Sequence, residues 1–502
     1  MDEKRLPYKQ LILVSAARAA VVISHVLSLP FIIPFVRDLH SCDEQDVSFY
    51  AGVIASSGGV ASFLSAIPFG TLSDHIGRRP IMLLGMCVSI ISLILFGLSK
   101  SIIWAVMSRV LSGSLDSSVT ASKVMTSELT NGYSQEMRAK GFAILQMSFA
   151  TSLIIGPFIG SALLDPVRKY PKIFQQDAII TVFLEAYPYF LPCFAGALLN
   201  AIMLAISFFS MDETCVNLKM DQEKSGAKLL QQPPRSYSTF DYIKRQPINF
   251  TPAVHGKQSF TSIFSLRECL IPAVTNILVV YVCTICQLAY HGELAPIWAT
   301  NERKFGGLGF TPKECAIVIA SQGISQIIVI TFILAPLTKR FGTLRVACIG
   351  SFGLILATTA ELGVPYLYNL PDLHGRTQTL FWVLPAVILC IVFWSTSFSL
   401  SLISAKILIN NAAPQHALGK TNSLSECLGS LTQAVGPALC GIIWSGSLKL
   451  SWAPIAWRIP INWFIPIIVG VFTFYMTSRL NPADYVLDRH KVNRRHNEEQ
   501  QA

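Results

Sequence analysis

Long apolar runs alternate with short polar segments along most of the chain. An α-helix needs about 20 apolar residues to cross a hydrocarbon core of about 30 Å, and run after run reaches that length. The pattern predicts twelve transmembrane helices, over residues of about 10–36, 48–69, 80–98, 102–125, 141–164, 187–210, 270–290, 314–337, 344–362, 380–409, 424–445 and 462–478. The sequence therefore predicts an all-α polytopic membrane protein.

A long polar segment divides the predicted helices into two sets of six. Residues 211–268 mix charges of both signs with Pro233-Pro234 and hydroxyl side chains, which is typical of a flexible linker. We therefore predict an N-terminal half (1–210), a cytosolic linker (211–268), a C-terminal half (269–480) and a cytosolic tail (481–502).

The two sets of helices also share an internal repeat. An offset of 280 residues aligns Gly156-Pro157 with Gly436-Pro437. A second offset, of 265 residues, aligns Gly77 with Gly342. Halves related by an axis along the membrane normal are a common construction of secondary transporters. The repeat thus predicts two pseudo-symmetric six-helix halves.

Composition agrees with a membrane protein and limits its partners. Of the 502 residues, 52% are hydrophobic and only 14% are charged, which is too apolar for a soluble globule. The formal net charge of +10 fits basic loops on the cytosolic side, so we predict the lipid bilayer and no nucleic acid as a partner. An even number of helices then places both termini in the cytosol. Charge does not distinguish the plasma membrane from the vacuole or the endoplasmic reticulum.

A polar decapeptide, GTLSDHIGRR over residues 70–79, separates predicted helices 2 and 3. Glycine permits sharp turns, a carboxylate accepts charge-assisted hydrogen bonds, and arginines beside a span mark the cytosolic face. We interpret the stretch as a tight polar turn. Its candidate functional residues are Gly70, Asp74, Gly77, Arg78 and Arg79.

Charged residues form a stripe along predicted helix 4, because Arg109, Gly113, Asp116, Thr120 and Lys123 follow each other at spacings of three and four. A charge at mid-membrane costs about 3 kcal/mol, so such residues normally face a bundle interior or water. We predict a substrate or proton path, with candidate residues Arg18, His25, Arg109, Asp116, Lys123 and Glu128. The alternative is a buried Arg109–Asp116 ion pair that only holds the helix in register.

Small residues and proline indicate where helices approach each other and bend. Gly156 and Gly160 lie four residues apart and form a flat helix face, while Pro157 leaves a carbonyl unpaired and permits a bend. We predict a role in packing or rocking for Gly113, Gly156, Pro157, Gly160, Gly436 and Pro437. Packing alone is the alternative.

Motifs for other chemistry are incomplete. Gly419-Lys420-Thr421 is similar to the end of a phosphate-binding loop, but Pro414 stands where that motif requires its first glycine. His291 and Glu293, placed at the outer end of predicted helix 7, could bind a metal only with further ligands. We therefore predict no enzyme activity, no cofactor and no metal site.

Residues 70–79 resemble the GxLaDRxGRR loop of the major facilitator superfamily, with His75 where the family usually has Arg or Lys. This resemblance implies the major facilitator fold and a loop that gates the inward-closed state. Arg109-xxx-Gly113 resembles the helix-4 motif of proton-coupled facilitators, and the GPxxG at residues 156–160 resembles the fifth-helix motif of drug:proton antiporters.

Several longer stretches, among them SELTNGYSQEMRAKGFAIL and GPFIGSALLDPVRKYP, resemble the fungal and plant group related to tetracycline-resistance and zinc-induced facilitator transporters. The likeness implies proton-coupled export of small molecules or chelates. That group often carries an acid three positions after the helix-1 arginine, whereas this chain has Val21. Proton coupling would then depend on Asp116, Glu128 or His25, or be lost.

We therefore expect a monomeric secondary active transporter that works by alternating access. It would export a drug, metabolite or metal chelate against protons. Asp116 would form the coupling pair with Arg18 or Arg109. Two alternatives stay open at this point. One is an uncoupled facilitative uniporter, and the other is a membrane receptor that senses a small molecule without transporting it.

Overall fold

The computed structural model describes residues 6–39, 43–115, 118–133, 135–172, 179–214, 271–370, 379–413, 418–452, 454–481 and 485. Eleven helices in this part of the chain are long and apolar enough to cross a membrane. A further helix is described as two segments on either side of residues 116–117. The all-α architecture of twelve transmembrane helices predicted from the sequence is confirmed.

The helices of the N-terminal half are labelled α1 to α6. They span Tyr8–Val26 (α1), Val47–Ile76 (α2), Arg78–Gly97 (α3), Ile102–Leu115 with Ser118–Leu129 (α4), Gln135–Leu163 (α5) and Phe190–Ser210 (α6). Those of the C-terminal half are α7 to α12. They span Pro272–Thr300 (α7), Pro312–Phe341 (α8), Thr343–Glu361 (α9), Leu384–Ala412 (α10), Leu418–Lys449 (α11) and Ile461–Ser478 (α12).

Helix pairs inside one half are repeated inside the other. In the N-terminal half α1 packs on α5, α2 on α4 and α3 on α6. Their counterparts six helices later also pack together, as α7 on α11, α8 on α10 and α9 on α12. The halves meet through α2 with α11 and through α5 with α8, which the same symmetry interchanges. We call the side where α1 begins and α12 ends the terminal face, and the opposite side the distal face.

The repeated glycines hold equivalent positions in this packing. A Cβ on Gly156 of α5 would lie 3.3 Å from the carbonyl oxygen of Ile23 in α1. A Cβ on Gly436 of α11 would lie 2.5 Å from the Cβ of Ala289 in α7. Each glycine therefore brings together the first and fifth helices of its own half.

Three predicted helix boundaries are wrong. α1 ends at Val26 instead of continuing to 36, because Pro30 cannot donate to the helix ladder; a separate short helix follows at Ile32–Asp38. α2 continues to Ile76, so the predicted turn over 70–79 is reduced to Gly77. α7 ends at Thr300, ten residues later than predicted, and His291 beyond the predicted end is bonded to Glu361 inside the bundle.

Most of the predicted linker (211–268) lies outside the described residues, as does most of the tail (481–502). The segment that follows α6 is described as far as Thr214. The domain boundaries stay predictions.

Gly77 and Gly342 hold corresponding positions at the ends of α2 and α8. Their dihedral angles are φ 111° with ψ 162° and φ 83° with ψ 153°, a region that is essentially restricted to glycine. Each residue lets the chain turn back into the membrane with no intervening loop. The offset of 265 residues therefore reflects one structural device used twice.

We predict that Gly342→Ala destabilises the fold by about 1–3 kcal/mol, the usual cost of holding a side chain in this backbone region. A Cβ at Gly342 would have no atom within 4 Å, so the loss would come from the backbone alone. Gly446→Ala is the matched control, because Gly446 lies in α11 and is equally uncrowded. Thermal unfolding in detergent should show a lower Tm for Gly342→Ala only, and equal Tm values would contradict the prediction.

Candidate functional site

Arg109 of α4 points into the bundle near the distal face. Its guanidinium donates a hydrogen bond to Ser28 Oγ, just beyond the end of α1, and lies 4.4 Å from the ring centroid of Phe96 in α3. Three elements of the N-terminal half thus hold this cation in place. Asp116, its predicted partner, lies outside the described residues. The pairing of Asp116 with Arg109 or Arg18 stays a prediction.

Lys123 of α4 forms an ion pair with Glu426 of α11, near the terminal face. The second oxygen of Glu426 lies 3.2 Å from Nζ of Lys406 in α10. These three side chains, which we call the terminal triad, join the N-terminal half to the C-terminal half. Glu426 and Lys406 were not among the residues predicted for the path. The position of Glu426 inside an apolar helix could have marked it as a buried acid. That position does not show which cation binds the acid.

Arg18 and His25 lie on α1 at different depths. Arg18 is buried, and its Nη1 donates to the carbonyl of Leu145 in α5 at 3.0 Å. It also lies within electrostatic range of Lys123. His25 is in the last turn of α1, towards the distal face. The described candidates for the path are therefore spread along the membrane normal and do not form one cluster.

The adjacent arginines at the start of α3 belong to a network at the terminal face. Nε of Arg78 lies 3.3 Å from Glu128 Oε1, at the end of α4. The Glu213 carboxylate accepts from the backbone N–H groups of Arg78 and Arg79 at 2.9 and 3.1 Å. Thr214 donates to the other oxygen of Glu128. Glu128 thus ties α4 to α3 and to the segment after α6; the side chain of Asp74 and the surroundings of Gly70 are not described.

The distal face is closed by polar contacts between the halves. Asp46, at the start of α2, accepts from Ser445 Oγ at 2.7 Å and from Lys449 Nζ at 2.6 Å, both on α11. These hydrogen bonds, from Lys449 first, hold the pKa of Asp46 below its ordinary value of 3.8. Asn301 donates to Ser48 Oγ at 3.0 Å. The contacts fasten the distal ends of α2, α7 and α11 together.

Close backbone approach supports this closure. A Cβ on Gly52 of α2 would lie 2.6 Å from the carbonyl oxygen of Pro437 in α11.

Other close contacts lie inside the N-terminal half. Gly113 of α4 packs against the backbone of Gly58 in α2, and Gly160 of α5 packs against Leu27. Gly113, Gly160 and Pro437 all lie at helix contacts. Their proposed part in a rocking motion stays a prediction.

Polar residues are also buried inside the C-terminal half. Nε2 of His291 lies 2.9 Å from one oxygen of Glu361 in α9, and Nε1 of Trp463 in α12 donates to the other at 2.9 Å. The imidazole stacks on Trp394 of α10 at 4.1 Å. The placement of His291 and Glu293 at an outer helix end is wrong, because α7 continues to Thr300. In the described part of the chain no three His, Cys, Asp or Glu residues are grouped to hold a metal ion.

Two six-helix halves with charged side chains at their interface define a polytopic membrane transporter. The sequence profile of the Major Facilitator Superfamily matches residues 14–437, and the chain belongs to this family. Members of the family are transporters and not enzymes, so the predicted class is confirmed.

Named relatives and solved structures agree with this assignment. The major facilitator superfamily multidrug transporter mfsB of Aspergillus fumigatus is 26% identical over 91% of this chain and 81% of its own length. Protein zinc induced facilitator-like 1 of Arabidopsis thaliana is 28% identical over 84% of this chain and 80% of its own length. The crystal structure of a D-xylose–proton symporter matches with a TM-score of 0.63 at 14% identity, over 95% of this chain and 97% of that chain. At that identity the structural likeness shows the fold alone.

We predict that closure of the distal face weakens in acid. The pKa of Asp46 is lowered in the closed form. The Asp46 carboxylate therefore contributes fully to the stability of the closed distal face above a pH of about 4. The contribution is lost as the pH falls through the lowered pKa. Hydrogen exchange at the start of α2, corrected for intrinsic pH effects, should rise in wild type only in acid, but in Asp46→Asn already at neutral pH. The exposed Asp43→Asn is the control, and equal exchange in Asp46→Asn and wild type at neutral pH would contradict this account.

We also predict that Lys123→Met opens the terminal face, whereas Lys406→Met does not. Both lysines bind Glu426, but only Lys123 comes from the other half. A partly exposed ion pair contributes about 1 kcal/mol, so the open fraction should rise about fivefold. Electron–electron distances between spin labels on the exposed Asn131 and Asn422 measure the opening. A shift of equal size in both variants would exclude a special role for Lys123.

Proposed function

We propose that this transporter exports a small molecule in exchange for protons, by alternating access through the space between its halves. One observation carries the proposal. Ionic contacts join opposite halves at both ends of the bundle, through Asp46 and Lys449 at the distal face and through Lys123 and Glu426 at the terminal face. Water can replace an ionic contact when a gap opens, so each contact can form and break as the halves rock.

The charge pattern supports an orientation with the terminal face in the cytosol. Basic residues cluster there at Arg78 and Arg79 after α2, and at Lys339 and Arg340 near the end of α8. Cytoplasmic loops carry an excess of Lys and Arg. A substrate would then enter from the cytosol when the terminal triad opens. It would leave at the distal face when the contacts of Asp46 break.

Export is supported by the relative azaK of Aspergillus niger, whose name describes an efflux pump, and transport of drugs by the relative mfsB, whose name describes a multidrug transporter. A cavity with both cations and acids would accept organic ions or chelates, because opposite charges stabilise each other in a medium of low dielectric constant. We therefore propose a small charged or zwitterionic substrate, either a drug or metabolite or a metal chelate.

Proton coupling requires an acid or histidine that water can reach from one side of the membrane and then from the other. Val21 stands where the zinc-induced facilitator group often has an acid. The titratable candidate for proton coupling on helix 1 is therefore His25. Asp116 lies between Arg109 and Lys123 in sequence and is the proposed coupling acid of helix 4. Glu128 is bound to Arg78 and Thr214, which favours a part in the gate near Gly77 over a part in the path.

We predict that the purified protein in liposomes accumulates at least one compound from a panel of fluorescent organic ions and metal chelates when a pH gradient is imposed. Asp116→Asn should abolish the effect of the gradient, since an amide does not release a proton. The exposed Asp43→Asn is the control for a change of acid to amide outside the membrane.

Other results select among the alternatives. Transport that ignores the imposed gradient in wild type would identify a uniporter. Binding of a panel compound without flux would favour a receptor. Wild-type coupling in Asp116→Asn would remove Asp116 from the mechanism but leave the proposed function intact.

A further inference from the structure

We propose that Glu293 of α7 is the carboxylate that takes up the exchanged proton from the distal side, with Arg109 as the cation that drives the proton off. The inference rests on proton-coupled export as proposed above and adds a second acid to it, so that replacement of either Asp116 or Glu293 abolishes coupling. Glu293 was selected in the sequence only as a fragment of a metal site. The structure places it instead inside the membrane, at the boundary between the two halves.

The environment of the Glu293 carboxyl group is unusual for an acid. The residue is only 8% exposed, and no described residue gives its Oε2 a hydrogen bond. Buried polar atoms almost always have a partner, and a charged group without one is costly in the membrane. A carboxyl group in this position is therefore ready to take up a proton or a cation.

Arg109 faces this carboxyl group from the other half. It lies seven residues inside the distal end of α4 (102 to 109), and Glu293 lies seven residues inside the distal end of α7 (293 to 300). The two side chains are within electrostatic range of each other, although no hydrogen bond joins them. Ser28 and Phe96 fix Arg109, so its charge moves with the N-terminal half.

Neighbouring ionisable groups leave this role to Glu293. Cys440 of α11 is the other described group that interacts electrostatically with it, and this thiol is fully buried. On α7 itself, His291 is bonded to Glu361, and the hydroxyl of Tyr290 is a neutral group without a described partner. Glu293 is thus the acid that faces a cation across the interface.

The arrangement links protonation to the position of the halves. When the distal ends of α4 and α7 separate, Glu293 is away from Arg109 and takes a proton from water on the distal side, forming one O–H bond. Closure of the distal face buries the carboxyl group, which favours its neutral form and holds the proton. When water reaches Glu293 from the terminal side, Arg109 stabilises the carboxylate, and the O–H bond breaks as the proton passes to that water. One proton moves inwards for each cycle that exports substrate.

A substrate-independent test uses dicyclohexylcarbodiimide, which modifies protonated carboxyl groups in apolar surroundings. We expect labelling of Glu293 in the full-length protein, detected by mass spectrometry of its peptide, with loss of labelling as the pH is raised from about 5 to about 9. Glu361 serves as an internal reference, because His291 and Trp463 occupy its oxygens and should suppress its labelling. Absence of label on Glu293 at every pH would overturn the proposal.

A transport test separates this inference from the proposed function. In liposomes, Glu293→Gln should lose gradient-driven uptake of the panel compound that wild type accumulates, but retain exchange of that compound at equal pH on both sides. Glu293→Asp keeps a carboxyl group and should retain coupling, and Glu185→Gln, on an exposed distal segment, is the matched control.

The outcomes point in different directions. Full coupling in Glu293→Gln overturns the inference but not the function, whereas no coupling in wild type overturns the proposed function. Loss of exchange as well as coupling in Glu293→Gln, with Glu293→Asp active in both, would mean that the carboxylate binds substrate and not the proton. Loss of all activity in both variants, while Glu185→Gln stays active, would assign Glu293 a structural role and overturn the inference.

Discussion

The structure depends on one constraint: hydrocarbon cannot solvate a charge, so each charged side chain inside the bilayer needs a partner within the protein. Here several of these partners come from the opposite half. Glu426 forms an ion pair with Lys123, and Glu293 lies within electrostatic range of Arg109. The charges that would be most costly in lipid are thereby gathered at the boundary between the two bundles. Alternating access as proposed above takes place at this same boundary.

Close packing makes such a boundary possible without large gaps. The apolar helices have no hydrophobic drive to associate in lipid, so they depend on small residues and polar contacts. Gly52 of α2 lets α11 pack closely on that helix. Gly323 of α8 does the same for α5, because a Cβ on Gly323 would lie 2.5 Å from the carbonyl oxygen of Ala150. The symmetry of the fold interchanges these two contacts. Motion at one of them is therefore geometrically compatible with motion at the other.

The two ends of the bundle differ in how they are held. At the distal face, short hydrogen bonds of Asp46 and Ser48 reinforce a tight glycine contact. At the terminal face, the described ionic link between the halves is the pair of Lys123 and Glu426. The network around Arg78 and Glu128 lies within the N-terminal half and stiffens it. This contrast agrees with the proposed function, in which the terminal side opens while the distal side stays closed.

The number of membrane helices, the two halves and their repeat could be predicted from the amino-acid sequence, because lipid requires long apolar runs and symmetry leaves Gly77 and Gly342 at matching helix ends. The sequence also identified Arg109 and Lys123 as interior, since charges avoid lipid. The partners of these two residues could be identified only from the packing of the helices. Glu426 and Glu293 are distant from them in the chain, and no periodicity connects residues of different helices. The extent of α7 was missed for the same reason, because His291 is buried against Glu361 of another helix, and the sequence pattern does not show that contact.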